Sequence, residues 1–299
     1  MTARLRAAIA GIEEQLHGDP AFAHVSHLLV RVGGRVVHDA HYRGPRVADT
    51  FSLTKSVIAT LVGAAVREGY VPDLDAAAPG ADCTWRQLLT MTRGRAVDGP
   101  WEIDAVMALS SGRLDRIRSA PRLDEPGVTF RYDNGAAHLL AAALREATRM
   151  PVERYAATRL FDPLGITAWD WPADSDGVHL GFGHLRLGAA DLAELGELWL
   201  RGGEGIMDPA FARAMTTAQN PGGPPENVPY GYLLWVDSYG YFAGGWAGQS
   251  ITVVPAARAV VVTTGDPRFD PGPPPTDALR DGWRSARDLV VERLIPVLA

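Results

Sequence analysis

The sequence predicts an α+β fold: an antiparallel sheet built from both ends of the chain, flanked by terminal helices, with a large mainly helical region inserted between. Strand-like patterns occur only before about residue 50 and after about residue 228, while helical patterns dominate between. The terminal segments, about residues 2–16 and 276–298, themselves read as helices suited to pack on such a sheet. The 299 residues, 46% of them hydrophobic, suffice for one large domain or two closely packed ones with a sizeable core.

Taken in order, residues 2–16 form the first helix, closed by His17-Gly18-Asp19-Pro20. Val25–Val32 and Arg35–Tyr42 read as strands joined at Gly33-Gly34, a two-residue hairpin signal. From Leu53 the apolar residues fall at 53, 57, 61 and 65 and at 58, 62 and 66. That is a helix apolar on nearly every side, hence buried, and Gly69 and Pro72 close it. Further helices are expected over Thr84–Met91, Ile103–Leu109, Ala136–Ala147, Val152–Leu160, Ala189–Arg201 and Pro209–Thr216. Asn220–Pro229 reads as a Pro/Gly-rich loop and domain boundary. Strands are expected over Tyr230–Val236, Tyr239–Ala243, Gln249–Val254 and Ala259–Thr264, then a loop over Asp270–Thr276 and a closing helix over Thr276–Leu298. These patterns divide the chain into a discontinuous sheet domain, residues 1–60 and 226–299, and an inserted helical domain, residues 61–225.

Charge and composition exclude several functions. A net charge of −6, with arginines spread along the chain and no basic run of five, argues against nucleic acid as a partner. The single cysteine, Cys83, rules out an intrachain disulfide and a multi-cysteine metal centre. The apolar stretch near the N-terminus is too short for a signal peptide, and the longest apolar run, Val57–Val66, is about half a membrane span. The expectation is a cytoplasmic protein with no membrane partner. His179 and His184 lack a third ligand nearby, Asp73 and Asp75 fit a solvated turn, and Trp169 and Trp171 fit ordinary packing. No phosphate-binding glycine motif occurs.

Of the 29 basic residues, only Lys55 is a lysine. Arginine keeps its proton in proteins, whereas a buried lysine can be neutral and act as a base. In Ser52-Leu53-Thr54-Lys55 the two functional side chains share one helix face, and the first-turn N–H groups favour negative charge beside Ser52. Such a pair suits a nucleophile and its base; alone it also fits a capping serine and a snorkelling lysine. Further on, Phe130-Arg131-Tyr132-Asp133-Asn134 delivers Tyr132 and Asn134 to the start of a helix, where they could relay a proton and orient a carbonyl, or simply cap. A third group, Gly244-Gly245-Trp246-Ala247-Gly248-Gln249-Ser250, fits either close backbone approach to a ligand or a hairpin turn.

Together, in this order, the three groups resemble the S-x-x-K, Y-x-N and K-T-G-type motifs of the serine β-lactamase and penicillin-binding-protein superfamily, in its class C-like esterase and peptidase branch. Trp85–Thr92, Asp162-Pro163-Leu164-Gly165-Ile166 and Ala190-Asp191-Leu192-Ala193 extend the likeness over roughly residues 25 to 265. The resemblance implies a β-lactamase-like fold with the active site in the cleft between the two parts. It implies Ser52 as acylated nucleophile, Lys55 as its base and Tyr132 as the proton relay. The backbone N–H groups of Ser52 and Gln249 would form the oxyanion hole, and Asn134, Trp246 and Gly248 would bind substrate, with neither cofactor nor metal. Where the family has K-T-G this chain has Trp246-Ala247-Gly248, which is similar to its esterases. Loss of that lysine implies weaker recognition of a substrate carboxylate and a preference for neutral esters over penicillins or D-alanyl peptides. The expected activity is hydrolysis of a small ester or amide through an acyl-serine. Acyl transfer by the same residues, β-lactamase or D-alanyl peptidase activity, and a non-catalytic sensor module are the alternatives.

Overall fold

The computed structural model describes residues 2–266, 268 and 282–298. The chain forms two compact units, Met1–Leu53 with Arg186–Arg201 and Asp237–Ala299, and Thr54–Leu185 with Gly202–Val236. The fold is α+β with an antiparallel sheet, as the sequence predicts. The division falls elsewhere than the sequence suggests at three places. Residues 54–60 go with the helical unit, 186–201 go with the sheet unit, and 226–236 go with the helical unit. The reason for the second is local: Arg186–Gly188 pairs with the short strand Val47–Asp49, and the helix Ala189–Leu200 packs on the sheet.

In the first unit the strand order is Arg35–His41, Val25–Val32, Ala259–Gly265, Gln249–Val254, Gly240–Gly245, antiparallel at every step. The three inner strands are buried along nearly their whole length, which explains why they read as continuous apolar runs rather than alternating ones. Gly33 and Gly34, with φ of 58° and 76°, make the left-handed turn that matches the twist of the first hairpin. One cluster joins Leu5, Ile9, Ile12 and Leu16 of the helix Ala3–Gly18 to Leu28, Val30 and Val261 of the sheet and Leu289 and Leu294 of the C-terminal helices. Burying such side chains stabilises by about 1.5–3 kcal/mol each. On the helix Ala189–Leu200, a Cβ at Gly196 would lie 2.5 Å from Val260 and 2.8 Å from Ile251, so glycine sets that close approach.

The closing helix starts later than predicted. Ser285 caps it, accepting from Arg287 N–H at 3.2 Å, and helical geometry runs from Ala286 to Leu298. The expected loop over Asp270–Thr276 and the predicted helical residues 276–281 lie outside the described residues.

The second unit centres on the helix Thr54–Arg67, buried continuously from Thr54 to Ala65, beside the helix Asn134–Thr148. Asn220–Pro229, expected as a loop, contains a strand Asn220–Gly223 paired with Val228–Tyr230. Its Pro and Gly residues hide it, because neither gives an alternating pattern. The expected strand Tyr230–Val236 is broken. Gly231 sits where a Cβ would meet Met215 O at 2.1 Å, and the chain turns there so that Gly231 N–H reaches Leu234 O and Tyr232 N–H reaches Met215 O. Among the described residues no helix is long and apolar enough to cross a membrane.

Candidate active site

Ser52 lies in a single 3₁₀ turn, Phe51–Leu53, ahead of the helix Thr54–Arg67. Phe51 has φ of 47°, a left-handed conformation that costs energy for a residue with a Cβ. Two hydrogen bonds hold it: Phe51 N–H donates to Asp49 Oδ1 at 2.7 Å, and Leu53 N–H donates to Thr50 O at 3.2 Å. The strands Gly240–Gly245 and Gln249–Val254 pack against this turn. A Cβ on Gly245 would stand 2.3 Å from Thr50 O and 3.3 Å from Leu53 N, so only glycine lets the strand approach the backbone beside Ser52. Trp246 meets Phe51 edge to face, ring centres 5.2 Å apart.

Trp246-Ala247-Gly248 is a tight turn, with Ala247 at φ 60° and Gly248 at φ 80°. Gln249 follows, buried and paired with Gly245. Its side-chain amide donates to Gly265 O at 2.7 Å, and Gly248 O accepts from Thr263 Oγ1 at 2.9 Å. The Gln249 side chain is thus committed to bracing the turn, which leaves only its backbone for the role the resemblance implies.

In the second unit Lys55 is 2% exposed, and its Nζ donates to Phe182 O at 2.6 Å. Burial lowers its pKa to about 7, against the opposing pull of the Asp133 charge. The ammonium sits 5.0 Å from the centre of the Tyr132 ring. Tyr132 in turn stacks on Trp235 at 5.9 Å with planes 11° apart.

The next residue, Asp133, is buried in an ion pair with Arg93 and caps the helix Asn134–Thr148 through Ala136 N–H at 2.9 Å. Arg93 also donates to Ile117 O at 3.0 Å. Asn134 is the first residue of that helix and is half-buried. Asp133 and Arg93 thereby fix the segment that carries Tyr132 and Asn134.

The acceptor for Lys55 is itself held in place. His138 Nε2 and Asp174 Oδ2 pair at 3.0 Å in full burial, and the Phe182 ring meets His138 edge-on at 5.7 Å. Asp174 Oδ1 accepts from the N–H groups of Asp176 and Val178, each at 2.9 Å. Although burial alone would raise the Asp174 pKa, these hydrogen bonds and the one from His138 hold it below the usual value. This anchor sets residues 174–182 on the helix Asn134–Thr148 and presents the Phe182 carbonyl to Lys55.

The sequence reading missed Phe182, Trp235, Arg93 and Asp133. A backbone carbonyl leaves no sequence signal, but a buried Asp beside Tyr132 needs a cationic partner, and that need was legible. His184, at φ 69°, touches Phe182 at 5.8 Å, whereas His179 faces Glu153 at 3.5 Å. Trp171 is buried with its indole donating to Leu180 O, and Trp169 packs on Phe161. Asp73 accepts from Asp75 N–H, and Asp75 pairs with Arg86 at 2.6 Å. Among the described residues no three His, Cys, Asp or Glu side chains are placed to hold a metal ion.

Solved structures share this fold. A protein described as a 6-aminohexanoate-dimer hydrolase from Bacillus anthracis superposes with a TM-score of 0.76 at 18% identity, over 96% of this chain and 81% of that one. EstCE1, described as a hydrolase with promiscuous acyltransferase activity, gives 0.72 at 19% identity, over 96% and 98%. A D-stereospecific amidohydrolase from Streptomyces gives 0.67 at 19% identity, over 87% and 94%. No curated protein matches by sequence. The β-lactamase family model matches residues 10–273, a span that holds the serine turn, the buried Lys55, the half-buried Tyr132 and the glycine-lined strand. The chain therefore belongs to the β-lactamase family of hydrolases.

Proposed function

We propose that this enzyme is a serine hydrolase that cleaves a small ester or amide through an acyl-Ser52 intermediate. The observation that carries the reading is Lys55: a fully buried amine with a pKa near 7, one helical turn after Ser52 and beside Tyr132. A base with its pKa near the working pH is the one that best accepts a proton and gives it back.

In this mechanism Lys55 Nζ takes the proton of Ser52 Oγ as the oxygen attacks the substrate carbonyl carbon. The oxyanion that forms is held by the backbone N–H groups of Ser52 and Gln249. Collapse breaks the bond to the alcohol or amine, which leaves with a proton passed from Lys55 through Tyr132. Water then attacks the acyl-enzyme by the same route, releasing the acid and restoring Ser52. Asn134, Trp246 and Gly248 would contact the substrate around the carbonyl.

The likeness to EstCE1, described as a hydrolase with promiscuous acyltransferase activity, favours a second outcome as well, transfer of the acyl group to an amine or alcohol in place of water. Hydrolysis of 4-nitrophenyl butyrate by the wild type, abolished in Ser52→Ala, is the expected result. Adding a primary amine and finding the amide by mass spectrometry would identify transfer. Turnover that survives in Ser52→Ala would refute the reading.

A further inference from the structure

Residues 129–133, which carry Tyr132 to the helix Asn134–Thr148, form neither helix nor strand, so their main-chain N–H groups need partners from elsewhere in the fold. Two of them go to one residue of the same unit. Arg131 N–H donates to Met91 O at 3.0 Å, and Asp133 N–H donates to Met91 Sδ at 3.4 Å. Met91, 1% exposed, thus grips the main chain on both sides of Tyr132.

Met91 occupies a position that favours glycine. It follows the short helix Trp85–Leu89, where Thr92 N–H reaches Gln87 O at 2.9 Å and Met91 N–H reaches Leu88 O at 3.2 Å. That pair of bonds closes a helix end through one left-handed residue, and Met91 is that residue, at φ 54°. Glycine would fill the place without strain, so a buried methionine there costs energy that its side chain must offset. The contact it makes is the one to Asp133 N–H. A thioether is a weak acceptor, but without it the N–H of buried Asp133 loses that partner. Two residues on, Arg93 takes the Asp133 carboxylate, so one turn holds this residue by its main chain and its side chain.

We propose that Met91 is a positioning residue for the proton relay, fixing the main chain around Tyr132 so that its hydroxyl meets the departing oxygen of the substrate. The proposal rests on the reading of Tyr132 as that relay. Lys55 and Trp235 lie against the Tyr132 ring, whereas Met91 holds the backbone that carries it. A displaced relay matters most where the leaving oxygen must gain a proton to depart. 4-Nitrophenolate leaves as a stable anion, phenolate less readily, and an alkoxide hardly at all.

The test measures kcat/KM for 4-nitrophenyl, phenyl and ethyl butyrate, which share an acyl group and differ in the proton demand of the leaving oxygen. Met91→Leu roughly conserves volume and deletes the sulfur, and Met91→Gly deletes it while relieving the left-handed strain. Each ratio is taken on one enzyme sample, so an unfolded fraction cancels and a merely structural role would not move it. In Tyr132→Phe the ethyl-to-nitrophenyl ratio should fall about 10²-fold, the low end for acid–base catalysis. In both Met91 variants it should fall about fivefold or more, with the phenyl ester between. A ratio unmoved in the Met91 variants but lowered in Tyr132→Phe would overturn the role of Met91 and leave the hydrolase reading intact. A ratio unmoved in Tyr132→Phe would overturn the relay and the role of Met91 with it. Ester turnover that persists in Ser52→Ala, or is absent from the wild type, would overturn the hydrolase reading as a whole.

Discussion

The side-chain amine of Lys55 donates a 2.6 Å hydrogen bond to the main-chain oxygen of Phe182. The contact joins the first turn of the central helix to a segment 127 residues later that is pinned by the His138–Asp174 pair. A carbonyl accepts from the neutral amine and from the ammonium alike, so it aims Lys55 without fixing its charge. Burial decides the charge, and it brings the pKa to about 7.

Activity should follow that titration. Below pH 7 the amine is protonated and cannot accept the Ser52 proton, so kcat/KM should fall as pH drops through about 7 and level off above it. Lys55→Arg keeps the charge but cannot give it up, and should lose at least about 10²-fold in activity. Rates from pH 5 to 9 for wild type and variant check both statements.

Gly245→Ala should damage the serine turn. The new Cβ would sit 2.3 Å from Thr50 O, against main chain that cannot swing away as a flexible side chain would. The expected outcome is a loss of activity of about tenfold or more, accompanied by a lower thermal midpoint. Labelling kinetics at Ser52 together with calorimetry would measure the two effects separately.

Asp133 serves the site through structure. Removing it in Asp133→Ala strands the buried Arg93 charge and deletes the cap of the helix Asn134–Thr148. Loss of one partner of a buried pair costs about 3–5 kcal/mol. The thermal midpoint should drop by several degrees, and the Tyr132 segment should gain hydrogen-exchange rate ahead of the rest of its unit.

His24 gives the fold an acid limit. Its ring is fully buried, stacked on Trp283 at 4.3 Å, and neither nitrogen has a hydrogen-bond partner among the described residues. Burial first, and the nearby Arg43 charge second, lower its pKa to about 4 from the usual 6.5. Between those values the unfolded chain binds a proton that the folded chain refuses. Stability should therefore fall as pH drops from about 6.5 to 4, and the loss should saturate below 4. His24→Phe should flatten that part of the curve of thermal midpoint against pH.

How much of this was legible in sequence depends on range. Strands such as Gln249–Val254 and the Gly33-Gly34 hairpin are written in local pattern, and so is the nucleophile–base pair at Ser52 and Lys55, which needs only helical spacing. The break at Gly231 was not legible, because tertiary contacts from Tyr232 to Met215 and from Leu233 to Leu89, rather than local propensity, set it, and the hairpin at 220–230 was hidden by its Pro and Gly residues. In the site, the Phe182 carbonyl and the stacking of Trp235 on Tyr132 join residues far apart in sequence and have no side-chain motif.

The central claim is that Ser52 is the acylated nucleophile, and one measurement tests it most directly. The folded protein is treated with a fluorophosphonate and digested, and the modified peptide is sequenced by mass spectrometry. The account predicts one adduct per chain, on Ser52, with Ser56 and Ser250 untouched: Ser56 donates to Leu233 O, and Ser250 is buried beside Thr252. Modification of a different serine, or of none in protein shown to be folded, would contradict it.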